Sequence, residues 1–126
     1  MKTIPELQKE IHANAIAKGW YEKVKSIPEH LALIHSEVSE ALEADRKDKY
    51  CNPVSLAWFI STQDESHAIQ EVFSDEIKNT FEDELADIII RVMDLAEFKG
   101  IDLQSHIEAK MRYNSLRPHK HGGKKY

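Results

Sequence analysis

The sequence predicts an all-α fold, a four-helix, bundle-type domain with a helical insertion between its second and third long helices. Three observations predict it. Apolar residues recur at helical spacing in four separate stretches, each bounded by capping or stop residues. Only four Gly and four Pro occur in 126 residues, which favours long regular elements over many turns. Apolar residues make up 41% and charged residues 31% of the chain, enough for a packed core under a solvated exterior. A chain of this length has room for one such core, so residues 1–126 read as a single domain.

Taken in order, the first helix runs from Pro5 to Lys18 with Leu7, Ile11 and Ala15 on one face. It opens after Thr3 and stops at Gly19. The second opens on the capping box Ser26-Ile27-Pro28-Glu29 and continues through Leu31, Ile34, Val38 and Ala41 to about Asp45. From 46 to 79 the pattern weakens into the insertion. Cys51-Asn52-Pro53 reads as a loop, Val54 to Ile60 fits either a strand or a helix, and Thr62 with Glu65 caps a minor helix through Ile69 to Ile77. Thr80 with Asp83 then caps a third long helix through Leu85, Ile88, Ile89, Val92 and Leu95, ended by Gly100. Asp102 caps the fourth, from Leu103 to about Asn114, and Arg117-Pro118 closes it. Residues 115–126 form a basic tail.

Charge narrows the partners. The formal net charge of −5 hides an asymmetry: residues 1–109 carry 11 Lys or Arg against all 22 Asp or Glu, and residues 110–126 carry the other six cations. An acidic body is a poor duplex nucleic-acid surface, because affinity there comes from neutralising many phosphates. A short basic tail beside it suits a small phosphorylated ligand or a metal-bridged anion; a plain solvated tail is the alternative. The longest apolar runs, such as Ile88 to Ile90, are too short to cross a bilayer, so no membrane partner is expected. Cys51 is the single cysteine, which rules out an intramolecular disulfide. Met1 to Glu10 carries no apolar leader block, so a reducing cytoplasm is the expected setting.

The acids carry the chemistry. On a wheel of 100 degrees per residue centred on Glu37, Glu40 falls at about −60 degrees, within an arc that also holds Leu33, Ala44, Ala41 and Ile34. Centred on Glu84, Asp87 falls at about −60 degrees among Phe98, Leu95, Ile88 and Phe81. Two helices thus each place a carboxylate pair at i, i+3 where core residues belong. Buried carboxylates cost several kcal/mol each and repel one another unless something cationic sits between them. Arg91 supplies one charge, and two divalent ions would balance four carboxylates. An all-oxygen donor set favours Mg²⁺, or Mn²⁺, over zinc. Redox di-iron bundles use Glu-x-x-His, which this chain lacks, so hydrolytic metal chemistry is expected.

The tail supplies the complement. Lys110 and Asn114 share a helix face, Arg117 follows, and His121-Gly122-Gly123-Lys124 is a loop whose backbone can approach an anion. Opposite a carboxylate–metal cluster, these cations suit a polyphosphate, although no P-loop pattern occurs. Trp20 can stack on a base or pack. His35 lies about 160 degrees from Glu37 and points away from the acids. Trp58-Phe59 reads as a lid or as the anchor of the insertion, and Cys51 shows no sign of being a nucleophile.

Together, His-Ser-Glu37-Val-Ser-Glu40-Ala-Leu-Glu-Ala, Glu84-Leu-Ala-Asp87-Ile-Ile-Ile-Arg91 and Lys110-Met-Arg-Tyr-Asn114-Ser-Leu-Arg117-Pro-His-Lys-His-Gly-Gly-Lys124 resemble the MazG-like all-α nucleoside triphosphate pyrophosphohydrolases. That resemblance implies a Mg²⁺-dependent enzyme cleaving a nucleoside triphosphate between the α and β phosphates, and a deoxynucleoside triphosphate is the expected substrate. It implies that Glu37, Glu40, Glu84 and Asp87 are metal ligands, with Glu37 also orienting or deprotonating the attacking water. It further implies that Lys110, Asn114, Arg117 and Lys124 hold phosphates, that His12 and Trp20 contact the base, and that the protein assembles as a homodimer or homotetramer. The departure is the long 46–79 insertion. The alternatives are a related pyrophosphohydrolase acting on another nucleotide such as phosphoribosyl-ATP, or a non-catalytic, metal-stabilised helical oligomerisation module.

Overall fold

Short-range side-chain hydrogen bonds decide where the helices begin. Thr3 accepts the Glu6 N–H at 3.3 Å, Ser26 and Glu29 exchange both bonds of a capping box, Asn52 takes the Val54 N–H at 2.9 Å, and Asp102 takes the Ser105 N–H at 3.1 Å. The computed structural model describes residues 1–118. Those residues form α1 (Ile4–Ala17), α2 (Ile27–Arg46), α3 (Pro53–Ser61), α4 (His67–Val72) running into a π turn (Phe73–Ile77), α5 (Phe81–Phe98) and α6 (Leu103–Leu116). The fold is all-α, with no strand among the described residues. No helix there is long and apolar enough to cross a membrane.

The chain groups into two compact units, Met1–Glu22 with the chain from Met93 onward, and Lys23–Val92. In the first, α1 packs against α6. Gln8, 3% exposed, donates its amide to Glu97 at 3.0 Å and to the Ile101 carbonyl at 2.9 Å. Met93 and Ala96 are buried there, and the rings of His12, Tyr21 and Phe98 cluster, with Tyr21 4.8 Å from His12 and 5.3 Å from Phe98.

In the second unit, α2 and the first turns of α5 run antiparallel. The Phe81 N–H meets the Lys49 carbonyl at 2.8 Å just past the end of α2, the Cys51 N–H meets Glu82 at 2.8 Å, and the Tyr50 and Phe81 rings lie 5.2 Å apart. Three turns along α5, Arg91 reaches Glu37 in the middle of α2. The buried apolar residues of this unit are the small Ala41 and Ala44 of α2 and Ile77 of the π turn. The insertion is helical: α3, α4 and the π turn pack on one another, with Phe59 5.2 Å from Phe73. Phe59 is therefore the anchor, while its neighbour Trp58 is exposed.

One start and one helix type differ from expectation. Thr62 does not cap the minor helix with Glu65. Its hydroxyl takes the Asp64 N–H at 3.2 Å, Asp64 takes the Ser66 N–H at 2.8 Å, and the helix begins only at His67. Local side-chain turns competed with the helix and moved its start. The segment to Ile77 then widens into a π turn, closed by the Lys78 N–H on the Phe73 carbonyl at 2.8 Å.

The two expected stops both hold: Gly19 has φ +85° and Gly100 φ +67°, and each is followed by a residue bonding back five positions, Trp20 to Ala15 and Ile101 to Ala96. A Cβ on Gly100 meets no atom within 4 Å, so any cost there is conformational. Gly100→Ala is expected to destabilise the protein by about 1–2 kcal/mol, read as a fall of several degrees in Tm. An unchanged Tm would mean that the left-handed turn is not kept in solution.

Candidate metal centre

Glu37 on α2 and Glu84 on α5 occupy the inward faces of their helices because the residues beside them on those faces are apolar. Both are buried, 7% and 3% exposed. Asp87, one turn along α5, is half-buried. One carboxylate oxygen from each of Glu37, Glu84 and Asp87 can be chosen so that all three lie within 4.8 Å of one another. Three acidic oxygens at that spacing form a hard donor set of the kind Mg²⁺ and Mn²⁺ take.

Glu40, expected as a fourth ligand facing the same interior, stands outside this trio and is exposed. Its position at about −60 degrees is the rim of the apolar arc, beside Lys47 and Glu43 at about −80 and −120 degrees. It still feels its neighbours: a hydrogen bond with Glu37 and repulsion from that carboxylate, with some desolvation, raise its pKa.

Arg91 is bonded to one acid of the trio. Its Nε–H donates to Glu37 Oε1 at 2.8 Å. Burial pushes Glu37 upward, but the Arg91 hydrogen bond and charge, with help from Glu40 and Glu84, outweigh it and hold Glu37 below the usual carboxylate range. Glu84 has no such partner. Burial first, then hydrogen bonding to Glu37 and repulsion from Glu40, push its carboxyl up to about 7. Asp87 is raised by burial and by repulsion from Asp83 and Glu37. The remaining oxygens, Glu37 Oε2 and Glu84 Oε2, are buried without a hydrogen-bond partner. Two buried acceptors with no donor, aimed into an acidic cluster, are what a divalent cation would satisfy.

A cavity of about 310 Å³ adjoins these acids, lined by Glu40, Glu43, Ala44, Lys47, Lys49, Asn79 and Glu84. Nothing in the sequence pointed to the two lysines, since a lysine after a helix end is ordinary.

The expected phosphate and base residues lie in the other unit. Lys110 and Arg117 both approach one residue, with Lys110 Nζ 5.1 Å and Arg117 Cζ 5.6 Å from the Tyr113 ring centre, and Asn114 sits within the same turn. Lys124 falls outside the described residues. His12 is not open at both nitrogens: its Nδ1 faces Asp94 Oδ1 at 2.8 Å, while the Tyr21 hydroxyl donates to Asp94 Oδ2 at 2.6 Å. Burial and the Asp94 carboxylate raise the Tyr21 pKa. Trp20 is exposed. Asp94 and Tyr21 were missed in the sequence because they approach His12 only through the fold.

Comparison of the chain with known family models, curated proteins and solved structures finds no match.

The acids predict a pH dependence. Glu84 titrates higher in the fold, at about 7, than in an unfolded chain, at about 4.3, so ionising it costs folding energy. Its contribution is intact below about pH 4.3 and is lost as pH rises through about 7. Chelator-treated protein is therefore expected to melt several degrees lower at pH 8 than at pH 5.5, Glu84→Gln to flatten that difference, and Mg²⁺ at pH 8 to restore Tm. Thermal melts in which Glu84→Gln keeps the wild-type slope would contradict the assignment.

Proposed function

We propose that this protein is a divalent-metal-dependent nucleoside triphosphate pyrophosphohydrolase, converting a nucleoside triphosphate and water into the monophosphate and pyrophosphate. The observation that carries the reading is the trio of Glu37, Glu84 and Asp87 with two buried oxygens lacking any donor. The resemblance of the two acidic motifs and the basic tail to MazG-like enzymes points the same way.

Glu37, Glu84 and Asp87 would hold Mg²⁺ or Mn²⁺, with Glu40 at the rim. When bound, the ion supplies positive charge against phosphate oxygens and favours ionisation of water. Arg91 keeps Glu37 ionised and fixes one of its oxygens, so this side chain is oriented to accept a hydrogen bond from an attacking water at neutral pH. The resemblance would give Lys110, Asn114, Arg117 and Lys124 to phosphate oxygens, and His12 and Trp20 to the base. Asp94 engages Nδ1 of His12, so Nε2 would be the ring nitrogen offered to the base.

The reading includes self-association. On α2, Ile27, Val38, Leu31 and Leu42 lie at about +80 to +140 degrees from Glu37; on α5, Leu85 and Ile89 lie at about +100 and +140 degrees from Glu84. All six are exposed. In an antiparallel pair, equal positive angles point to the same side, so the two stripes form one apolar face. A second copy laying the same face against it would complete a four-helix bundle. The acids Glu40 and Asp87 lie at negative angles, on the other edge.

A non-catalytic, metal-stabilised oligomerisation module uses the same apolar face and the same acids, and turnover separates the two readings. With Mg²⁺ and a panel of nucleoside triphosphates, phosphoribosyl-ATP included, the wild type is expected to release pyrophosphate from at least one. Glu84→Ala and Asp87→Ala are expected to lose at least about 100-fold in rate while keeping the helical circular-dichroism signal. Absence of turnover on every compound, together with Mg²⁺-dependent melting, would favour the module. In sedimentation the wild type is expected to be at least dimeric and the double variant Leu31→Glu/Leu42→Glu monomeric; a monomeric wild type would remove the interface.

A further inference from the structure

The cavity beside Glu84 has walls of both signs. Glu40, Glu43 and Glu84 bring three acids, Lys47 and Lys49 bring two cationic side chains, and Asn79 lines the same space. Lys47 is occupied in part, 3.4 Å from Glu43 one turn back on α2. Lys49 is not: among the described residues its side chain has no hydrogen bond or ion pair.

Its backbone, in contrast, is fixed at both ends. The Lys49 N–H donates to the Ala44 carbonyl at 2.8 Å and the Lys49 carbonyl accepts the Phe81 N–H at 2.8 Å. The turn between is closed by Asp48 at φ 54°, whose N–H bonds Asp45 at 2.9 Å. On the facing side, Asn79 at φ 63° is held by its N–H on Asp83 at 2.9 Å. Two pinned turns therefore place Lys49, an uncommitted cation, and Asn79 on the wall of a space that Glu84 also lines; Glu84 is 97% buried and has an oxygen without a partner.

A free cation would satisfy the acids and be repelled by the lysines, and a free anion would meet the reverse. A divalent cation carrying an anion satisfies both walls at once. At about 310 Å³ the space is at the lower end of ligand-pocket volumes, large enough for two phosphate groups and small for a whole nucleotide. We propose that this cavity seats the terminal phosphates of a metal-bound polyphosphate, with Lys49 as the main counter-charge, Lys47 as the second and Asn79 as a hydrogen-bond donor. This assignment rests on the metal reading of Glu37, Glu84 and Asp87, and adds a phosphate subsite on the same unit as the acids, separate from the cations of α6.

The test uses the full chain, Mn²⁺ and inorganic pyrophosphate. Mn²⁺ binding is followed by electron paramagnetic resonance, and pyrophosphate binding to the Mn²⁺-loaded protein by calorimetry. Lys49→Ala is expected to weaken pyrophosphate binding by at least about tenfold, Lys47→Ala/Lys49→Ala further, and Lys49→Arg little, with Mn²⁺ affinity within about twofold of wild type throughout. Pyrophosphate bound as tightly by the double variant as by the wild type, bound without Mn²⁺, or not bound by the Mn²⁺-loaded wild type, overturns the subsite alone. A wild type that takes up no Mn²⁺ overturns the metal reading and the subsite with it.

Discussion

Two glutamates on facing helices, both buried and only one of them paired with a cation, set the terms for the rest of this structure. Carboxylates so placed repel each other in a medium that screens poorly, and the fold meets that cost unevenly. Arg91 holds Glu37 ionised, while Glu84 resists ionisation until near neutral pH. Burial and charged neighbours thus push the two glutamates in opposite directions, one below and one above the usual carboxylate range. Their buried apolar neighbours on α2, Ala41 and Ala44, are small.

The antiparallel arrangement of α2 and α5 then sorts the remaining chemistry by edge. Angles on one side of the glutamates carry Glu40, Lys47 and Asp87, charged groups beside a mixed-sign cavity. Angles on the other carry exposed leucines, isoleucines and a valine. A helix pair with a charged edge and an apolar edge can bind a ligand on one and a copy of itself on the other without conflict.

How far the sequence revealed this depends on the range of the interactions. Thr3, Ser26, Asp102, Gly19 and Gly100 act within a turn of themselves, and the helix ends they predict are where the structure has them, to within a residue or two. Glu37, Glu84 and Asp87 were legible because a period of 3.6 places them among apolar neighbours. The same wheel put Glu40 inward, since an angle at the rim of an arc does not tell whether water reaches it. Thr62 misled because its hydroxyl had a nearer N–H to accept than that of a helix start. The π turn has no periodic signature, and Asp94 joins His12 across 82 positions of sequence. Lys49 is unremarkable in sequence; only the turn at Asp48 and its bond to Phe81 give it direction.

We propose that Glu37, Glu84 and Asp87 share one divalent ion, and anomalous diffraction from crystals grown with Mn²⁺ decides whether they do. A peak about 2.2 Å from one oxygen of each of the three side chains is the result expected. Density showing the three carboxylates apart and hydrated, with manganese elsewhere or absent, would contradict it.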